Sequence, residues 1–379
     1  MPESLYIHIP FCLRKCIYCD FVSVPLGDES LTRGYIQALI REIGLCGGLE
    51  KNLKTLYIGG GTPTVLPPGE LEELLSAINS HFEFQPGAEL TIEANPASVD
   101  AAKLGLLHTA GINRISIGVQ SFNDAELKLL GRLHTGGEAS EAICLARAAG
   151  FENISLDLIY GIPGQTAGPW RKTLEAALAL APEHISAYEL TVEKHTCLWE
   201  MVQKGVLKML PEEEILTMQE TAARMLGEAG FIHYEVSNYA RPQKECRHNL
   251  NYWERGQYLG LGAAAHSFAG ERRWKNTGGI NEYIEALSGG KLPRMEAEDI
   301  RPEEAKRELV FLGLRLEEGI PLAKARAYGL RLEDAAKGLC REGFLEIKKT
   351  NSSGHLRATK KGFSVLNRVI EELIGELGL

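Results

Sequence analysis

The sequence predicts an α/β protein: a partial, TIM-like (β/α)6 barrel followed by a helical, winged-helix-like C-terminal module. Three observations predict it. Six short apolar runs alternate with amphipathic helical patterns between residues 5 and 190, and such alternation implies parallel strands joined by right-handed crossovers. The unusual turns follow the strand patterns, where α/β folds place their sites. Beyond residue 300 the order becomes helix, helix, helix and then a hairpin. The boundaries read as 1–230 for the barrel, 231–295 for a separate segment and 296–379 for the C-terminal module, with Gly289-Gly290 and Pro293 breaking the pattern before the last.

Taken in order, the strands read as Leu5 to Ile9, Thr55 to Ile58, Glu89 to Glu93, Arg114 to Gly118, Asn153 to Leu158 and His184 to Leu190. Helical patterns cover Leu31 to Leu45, Gly69 to Phe82, Val99 to Thr109, segments up to Ala149, and Trp170 to Leu180. The second of these puts Leu71, Leu74, Leu75 and Ile78 on one face. After Thr191 the alternation fades; Pro211 to Gly230 is a helix and His233 to Trp274 a polar, aromatic-rich stretch. In the C-terminal module Phe344 to Lys348 and His355 to Ala358 flank a turn at Asn351-Ser352-Ser353-Gly354, and a last helix covers Phe363 to Leu373.

At 379 residues the chain can bury one large core and a smaller one. No run of 18 apolar residues is present, which excludes a membrane-spanning helix but leaves contact with a membrane surface open. The start, Met1-Pro2-Glu3-Ser4, lacks a secretory pattern. Eight cysteines, three of them clustered, suit a reducing cytoplasm, with Cys46, Cys144, Cys197 and Cys340 expected as scattered buried thiols. The net charge of −9 divides into about −12 for residues 1–300 and +3 for the rest, which argues against nucleic acid as a partner.

The chemistry gathers in Tyr6-Ile-His8-Ile-Pro-Phe-Cys12-Leu-Arg-Lys-Cys16-Ile-Tyr18-Cys19, on the exit of the first strand. Three thiolates on one loop can hold three irons of a [4Fe-4S] cluster, leaving one iron for an outside ligand, since Phe21 and not a fourth cysteine follows Asp20. Spacing alone also allows a zinc site closed by His8, or three unligated thiols. The second strand ends in Gly59-Gly60-Gly61-Thr62-Pro63-Thr64, where glycines let backbone approach a ligand, or simply make a tight turn. No Gly-Lys-Ser/Thr follows, so this is not a phosphate loop. Glu93 ends the third strand, Gln120 leaves the fourth, Arg132 follows the next helix and Asp157 lies near the end of the fifth. Each alone could be structural; together they fall on the expected carboxyl face.

The cysteine gaps resemble the radical S-adenosylmethionine superfamily, which implies a partial barrel of six repeats with the nucleotide's amino and carboxylate groups on the open iron. Tyr18 matches that superfamily's aromatic beside the adenine. With Gly118-Val-Gln120-Ser-Phe122 and Asp157-Leu-Ile-Tyr160-Gly161-x-Pro163-Gly164, the likeness narrows to the oxygen-independent coproporphyrinogen oxidase-like family, over nearly all of the chain. The resemblance implies that Tyr6, Gly60, Gly61, Thr62, Glu93, Gln120, Arg132 and Asp157 line the nucleotide sites. It also implies a second S-adenosylmethionine in the family's oxidase.

Phe21 stands where that oxidase has a fourth cysteine, and this chain begins five residues before Tyr6, where the oxidase has an extension toward its substrate. Both features, and His248-Asn249-Leu-Asn-Tyr252-Trp253, resemble the family's heme-chaperone branch. Heme iron takes His, Cys, Met or Tyr ligands. His248 is the candidate heme residue, with Arg247 for a propionate, Tyr252 and Trp253 for stacking, and His266 as a second choice; a hydrogen-bonded or surface histidine remains the alternative. The leading expectation is therefore a heme chaperone with cluster and nucleotide, partnered by heme and an acceptor apo-protein. The rival is a radical coproporphyrinogen oxidase, which would also need an electron-donor protein, and the third reading is a zinc-stabilised barrel.

Overall fold

The computed structural model describes residues 2–48, 52–349 and 354–379. The six expected strands form: β1 (Ser4–Ile9), β2 (Leu53–Gly60), β3 (Phe84–Ala94), β4 (Arg114–Gln120), β5 (Ile154–Tyr160) and β6 (His184–Glu189). They pair in parallel in sequence order. Between them run α1 (Glu29–Cys46), α2 (Pro68–His81), α3 (Ala101–Thr109), α4 (Asp124–Leu130), α5 (Gly136–Ala148) and α6 (Ala167–Ala179). The strands carry Leu and Ile on both faces because the helices cover one side and the barrel interior the other. Polar side chains set the helix starts. Asp28 accepts from the amides of Ser30 and Leu31 ahead of α1, and Thr135 with Glu138 forms a capping box on α5.

The 231–295 stretch, read from the sequence as a separate segment with a polar, aromatic-rich run, contains regular elements. After α7 (Cys197–Gln203) and α8 (Glu212–Glu228) come β7 (Ile232–His233), β8 (Asn238–Ala240), α9 (Arg247–Trp253) and β9 (Leu259–Leu261). The sheet thus has nine strands in the order β9-β1-β2-β3-β4-β5-β6-β8-β7, with β9 parallel to β1 and β8 antiparallel to β6. Strands this short show no alternation in a sequence. The His248 motif lies on α9. The buried Glu42 of α1 ties this segment down, accepting from the Gly262 amide at 2.8 Å, Asn276 Nδ2 at 2.7 Å and the Tyr283 hydroxyl.

A second sheet, β10 (His266–Ala269), β11 (Arg272–Asn276) and β12 (Arg294–Asp299), carries pairing past residue 296, with α10 (Ile280–Ser288) between its last two strands. Then, among the described residues, α11 (Pro302–Gly313), four short helices, a three-stranded sheet and the helix Leu366–Glu376 enclose a separate core around Val310, Ile320, Leu356 and Ile370. The strands of its hairpin are Leu345–Lys349 and Gly354–Ala358; the expected turn at 351–353 lies outside the described residues. Of the four thiols expected to be buried, Cys46 is; Cys144 and Cys197 are exposed and Cys340 is half-buried. α5 turns Ala139, Ala142, Ile143 and Ala146 inward, which leaves Cys144 on its outer face.

Arg255 joins the two cores. Its side chain is 2% exposed and meets Glu271 at 2.6 Å and Glu308 of α11 at 2.8 Å, with the guanidinium 4.8 Å from the centre of the Phe268 ring. Arg255→Ala should lower unfolding stability by about 2–3 kcal/mol, because two carboxylates lose a desolvated partner. Denaturant unfolding checks this, and limited proteolysis should show faster cutting near residue 300.

Candidate cofactor site at the strand carboxyl ends

The cysteine loop is closed at its base and fastened at its tip. Phe11–Cys12 pairs in parallel with Val24–Pro25, and the amides of Val24 and Leu26 donate to the carbonyls of Pro10 and Cys12 at 2.8 and 2.7 Å. Further along, the Ile17 amide donates to the Leu130 carbonyl at 3.2 Å, and the Leu198 amide of α7 donates to the Ile17 carbonyl at 2.8 Å. Cys12, Cys16 and Cys19 are free, half-buried thiols that line one cavity of about 400 Å³, a usual size for a small-molecule site.

The glycine turn is built against this loop. The Gly61 amide donates to the Ile9 carbonyl at 2.8 Å and the Thr62 amide to the Phe11 carbonyl at 2.7 Å. A Cβ on Gly61 would lie 2.5 Å from the Phe11 carbonyl oxygen; one on Gly60, at φ +112°, would lie 2.6 Å from the His8 ring. Close packing therefore dictates both glycines. With those amides engaged, the polar backbone groups the turn can offer a ligand there are carbonyl oxygens, which suit an ammonium donor.

The acidic wall is hydrogen-bonded from neighbouring strands. Glu93 accepts from the Tyr57 hydroxyl at 2.8 Å and the Gly60 amide at 3.1 Å. Asp157 accepts from Ser186 at 2.8 Å and Ser116 at 3.2 Å. Burial raises both carboxyls, Glu93 to about 7, with the nearby Asp157 charge adding to its shift. Gln120 leaves β4 at φ +68°, where the register with β5 slips. Arg132 donates to the Gly118 carbonyl through Nη2 and to Cys16 Sγ through Nη1 at 3.5 Å, and the Thr62 hydroxyl donates to Cys12 Sγ at 3.8 Å. Tyr18 packs with Leu198 where the loop is fastened and faces the same cavity.

All the residues designated for cluster and nucleotide line this cavity except Tyr6, whereas none of the heme candidates Arg247, His248, Tyr252, Trp253 and His266 does. The Tyr6 hydroxyl bonds His8 Nδ1 at 3.0 Å, and its ring stacks on Tyr57. His248 is 1% exposed. Its Nδ1 bonds the Thr55 hydroxyl at 2.7 Å and its Nε2 the Tyr252 hydroxyl at 2.9 Å, so both ring nitrogens are engaged inside the barrel. The zinc alternative with His8 is not assembled. That ring bonds Tyr6 and, through Nε2 at 3.0 Å, the Val22 carbonyl, and no three His, Cys, Asp or Glu side chains among the described residues converge as one metal ion requires. The donor set fits an iron–sulfur cluster instead: three thiols share one cavity, and two of them receive hydrogen bonds of the kind that support cluster sulfurs.

Among the cavity residues not designated as site residues are Arg114 and Asn249. Arg114 is 1% exposed, and its Nε and Nη1 lack a hydrogen-bond partner; a lone cation opening an otherwise apolar strand was the available signal. Asn249 lines the floor, next to the histidine that drew attention.

Residues 6–177 match the Radical SAM superfamily, and residues 300–365 the HemN C-terminal domain. Over 99% of this chain and all of its own length, the heme chaperone HemW of Bacillus subtilis is 37% identical; HemW of Escherichia coli is 34% identical over 99% of both chains. The chain belongs to the HemW family. Among solved structures, the radical SAM coproporphyrinogen III oxidase HemN of Escherichia coli superposes with a TM-score of 0.82 over 98% of this chain and 89% of its own, at 23% identity, which establishes the shared fold.

The raised Glu93 carboxyl gives a pH signature. Its folded value of about 7 lies above the ordinary 4.5, so the folded chain loses stability as pH rises through that window, and the loss is complete above it. Glu93→Gln removes the loss. The variant should gain thermal stability over the unaltered chain at pH 8 and show less gain at pH 5, as read from melting curves at the two values.

Proposed function

We propose that this chain is a heme chaperone: it binds heme, carries a [4Fe-4S] cluster with S-adenosylmethionine, and hands heme to acceptor apo-proteins. The observation that carries this reading is end-to-end identity with proteins named heme chaperone HemW. Cys12, Cys16 and Cys19 hold the cluster, and no fourth cysteine follows within the loop. Tyr18, Gly60, Gly61, Thr62, Glu93, Gln120, Arg132 and Asp157 take the nucleotide, with Glu93 and Asp157 as acceptors for its hydroxyl groups and Tyr18 as a face for its base. When bound, cluster and nucleotide supply one-electron chemistry, and an electron-donor protein is needed only where that chemistry runs. The chain's own part is to orient the nucleotide, donate hydrogen bonds from Thr62 and Arg132 to the sulfurs of Cys12 and Cys16, and exclude water with the closed loop base.

The reading places the protein in the cytoplasm, where its free cysteines stay reduced. No helix among the described residues is long and apolar enough to cross a membrane.

Heme titrated into anaerobically reconstituted protein should give a stoichiometric Soret shift. No shift, together with conversion of coproporphyrinogen to a vinyl product, would make the chain an oxidase instead. Cys12→Ser, Cys16→Ser and Cys19→Ser should each lose iron and sulfide while the far-ultraviolet circular dichroism stays as it was. Full iron and sulfide content in any one of them contradicts the ligand assignment.

A further inference from the structure

The cysteine loop carries an exposed apolar surface that begins at the cavity mouth with Phe21 and extends beyond it. Phe21 is 62% exposed, Val22 41% and Leu13 40%. Large apolar side chains left together in water mark a contact surface. Arg14 and Lys15 are exposed on the same loop and line the cavity mouth with Phe21. The Lys15 ammonium donates to the Phe21 carbonyl at 2.9 Å, so the loop's own backbone holds cation and ring together.

The facing rim belongs to the segment after β6. Its Thr191 and Glu193 line the same mouth, Val192 and Leu198 pack with Ile17 and Tyr18, and the Leu198 amide bonds the Ile17 carbonyl. The two rims are therefore fastened to each other. This segment presents His195, exposed and held at φ +68°. The Trp199 ring is centred 6.0 Å from the imidazole. His248 offers the opposite: a sealed ring whose use as a ligand means breaking its bond to Thr55 or to Tyr252.

Resting on the heme-chaperone reading, we propose that heme docks on this rim. Its apolar face lies against Phe21, Leu13 and Val22, its two carboxylates meet Arg14 and Lys15, and His195 is its axial ligand. The match is one of chemistry. Heme is a flat apolar plate with an anionic edge and an iron that accepts imidazole, and Arg and Lys pair with carboxylates. An open rim also suits a cargo that must leave, because an acceptor can lift the plate without unfolding the barrel.

The test titrates hemin into anaerobically reconstituted protein and follows the Soret band. It uses the unaltered chain, Arg14→Glu/Lys15→Glu, His195→Asn and His248→Ala, each checked for fold by circular dichroism. Asparagine tolerates the left-handed backbone at residue 195. The charge reversal should weaken heme binding about tenfold or more, and His195→Asn should move the Soret maximum. Unchanged affinity in the first and an unchanged band in the second overturn the rim seat, as does a band that moves only in His248→Ala. No Soret response from the unaltered chain would sink the heme reading itself and the seat with it.

Discussion

The barrel mouth depends on one backbone contact too close for a side chain. Gly60 and Gly61 lie against His8 and Phe11, and the amides of Gly61 and Thr62 bond the carbonyls of Ile9 and Phe11. Through it the exit of β2 grips the exit of β1 at the point where the cysteine loop begins. The loop's thiols then face the same space as Glu93, Gln120 and Asp157. A larger residue at position 61 would push the loop away by its own backbone, where no rotamer change could relieve the clash.

Beneath that contact lies an unusually polar interior. Glu93 and Asp157 are held by hydroxyls and an amide, and Arg114 adds a charge whose Nε and Nη1 lack a hydrogen-bond partner. Buried groups of this kind lower stability unless they serve a ligand. The apolar bulk of the barrel, with both faces of β1, β4 and β5 buried, carries that cost. Function and stability are thus separated by layer: outer helices and strand cores hold the fold, and the strand ends hold the chemistry.

Much of this was legible in the sequence. The six central strands are long enough for periodicity, and the cysteine spacing and glycine turn are local patterns that survive without tertiary context. The edge strands Ile232–His233 and Leu259–Leu261 were not legible, because two or three residues carry no period and their pairing is decided by distant partners such as Glu42. The His248 motif shows the other limit. A sequence reveals a histidine among aromatics but not that Thr55, some two hundred positions away, bonds its ring. Arg114 was passed over because a charge at a strand's first residue usually faces water, whereas here the barrel closes around it.

The central claim is that three sulfurs at this mouth leave one cluster iron to the nucleotide. Electron paramagnetic resonance of the reduced, reconstituted protein tests it most directly, recorded before and after S-adenosylmethionine is added. The account predicts a change in the g values as the open iron takes the ligand. A spectrum that stays the same at saturating nucleotide would contradict it.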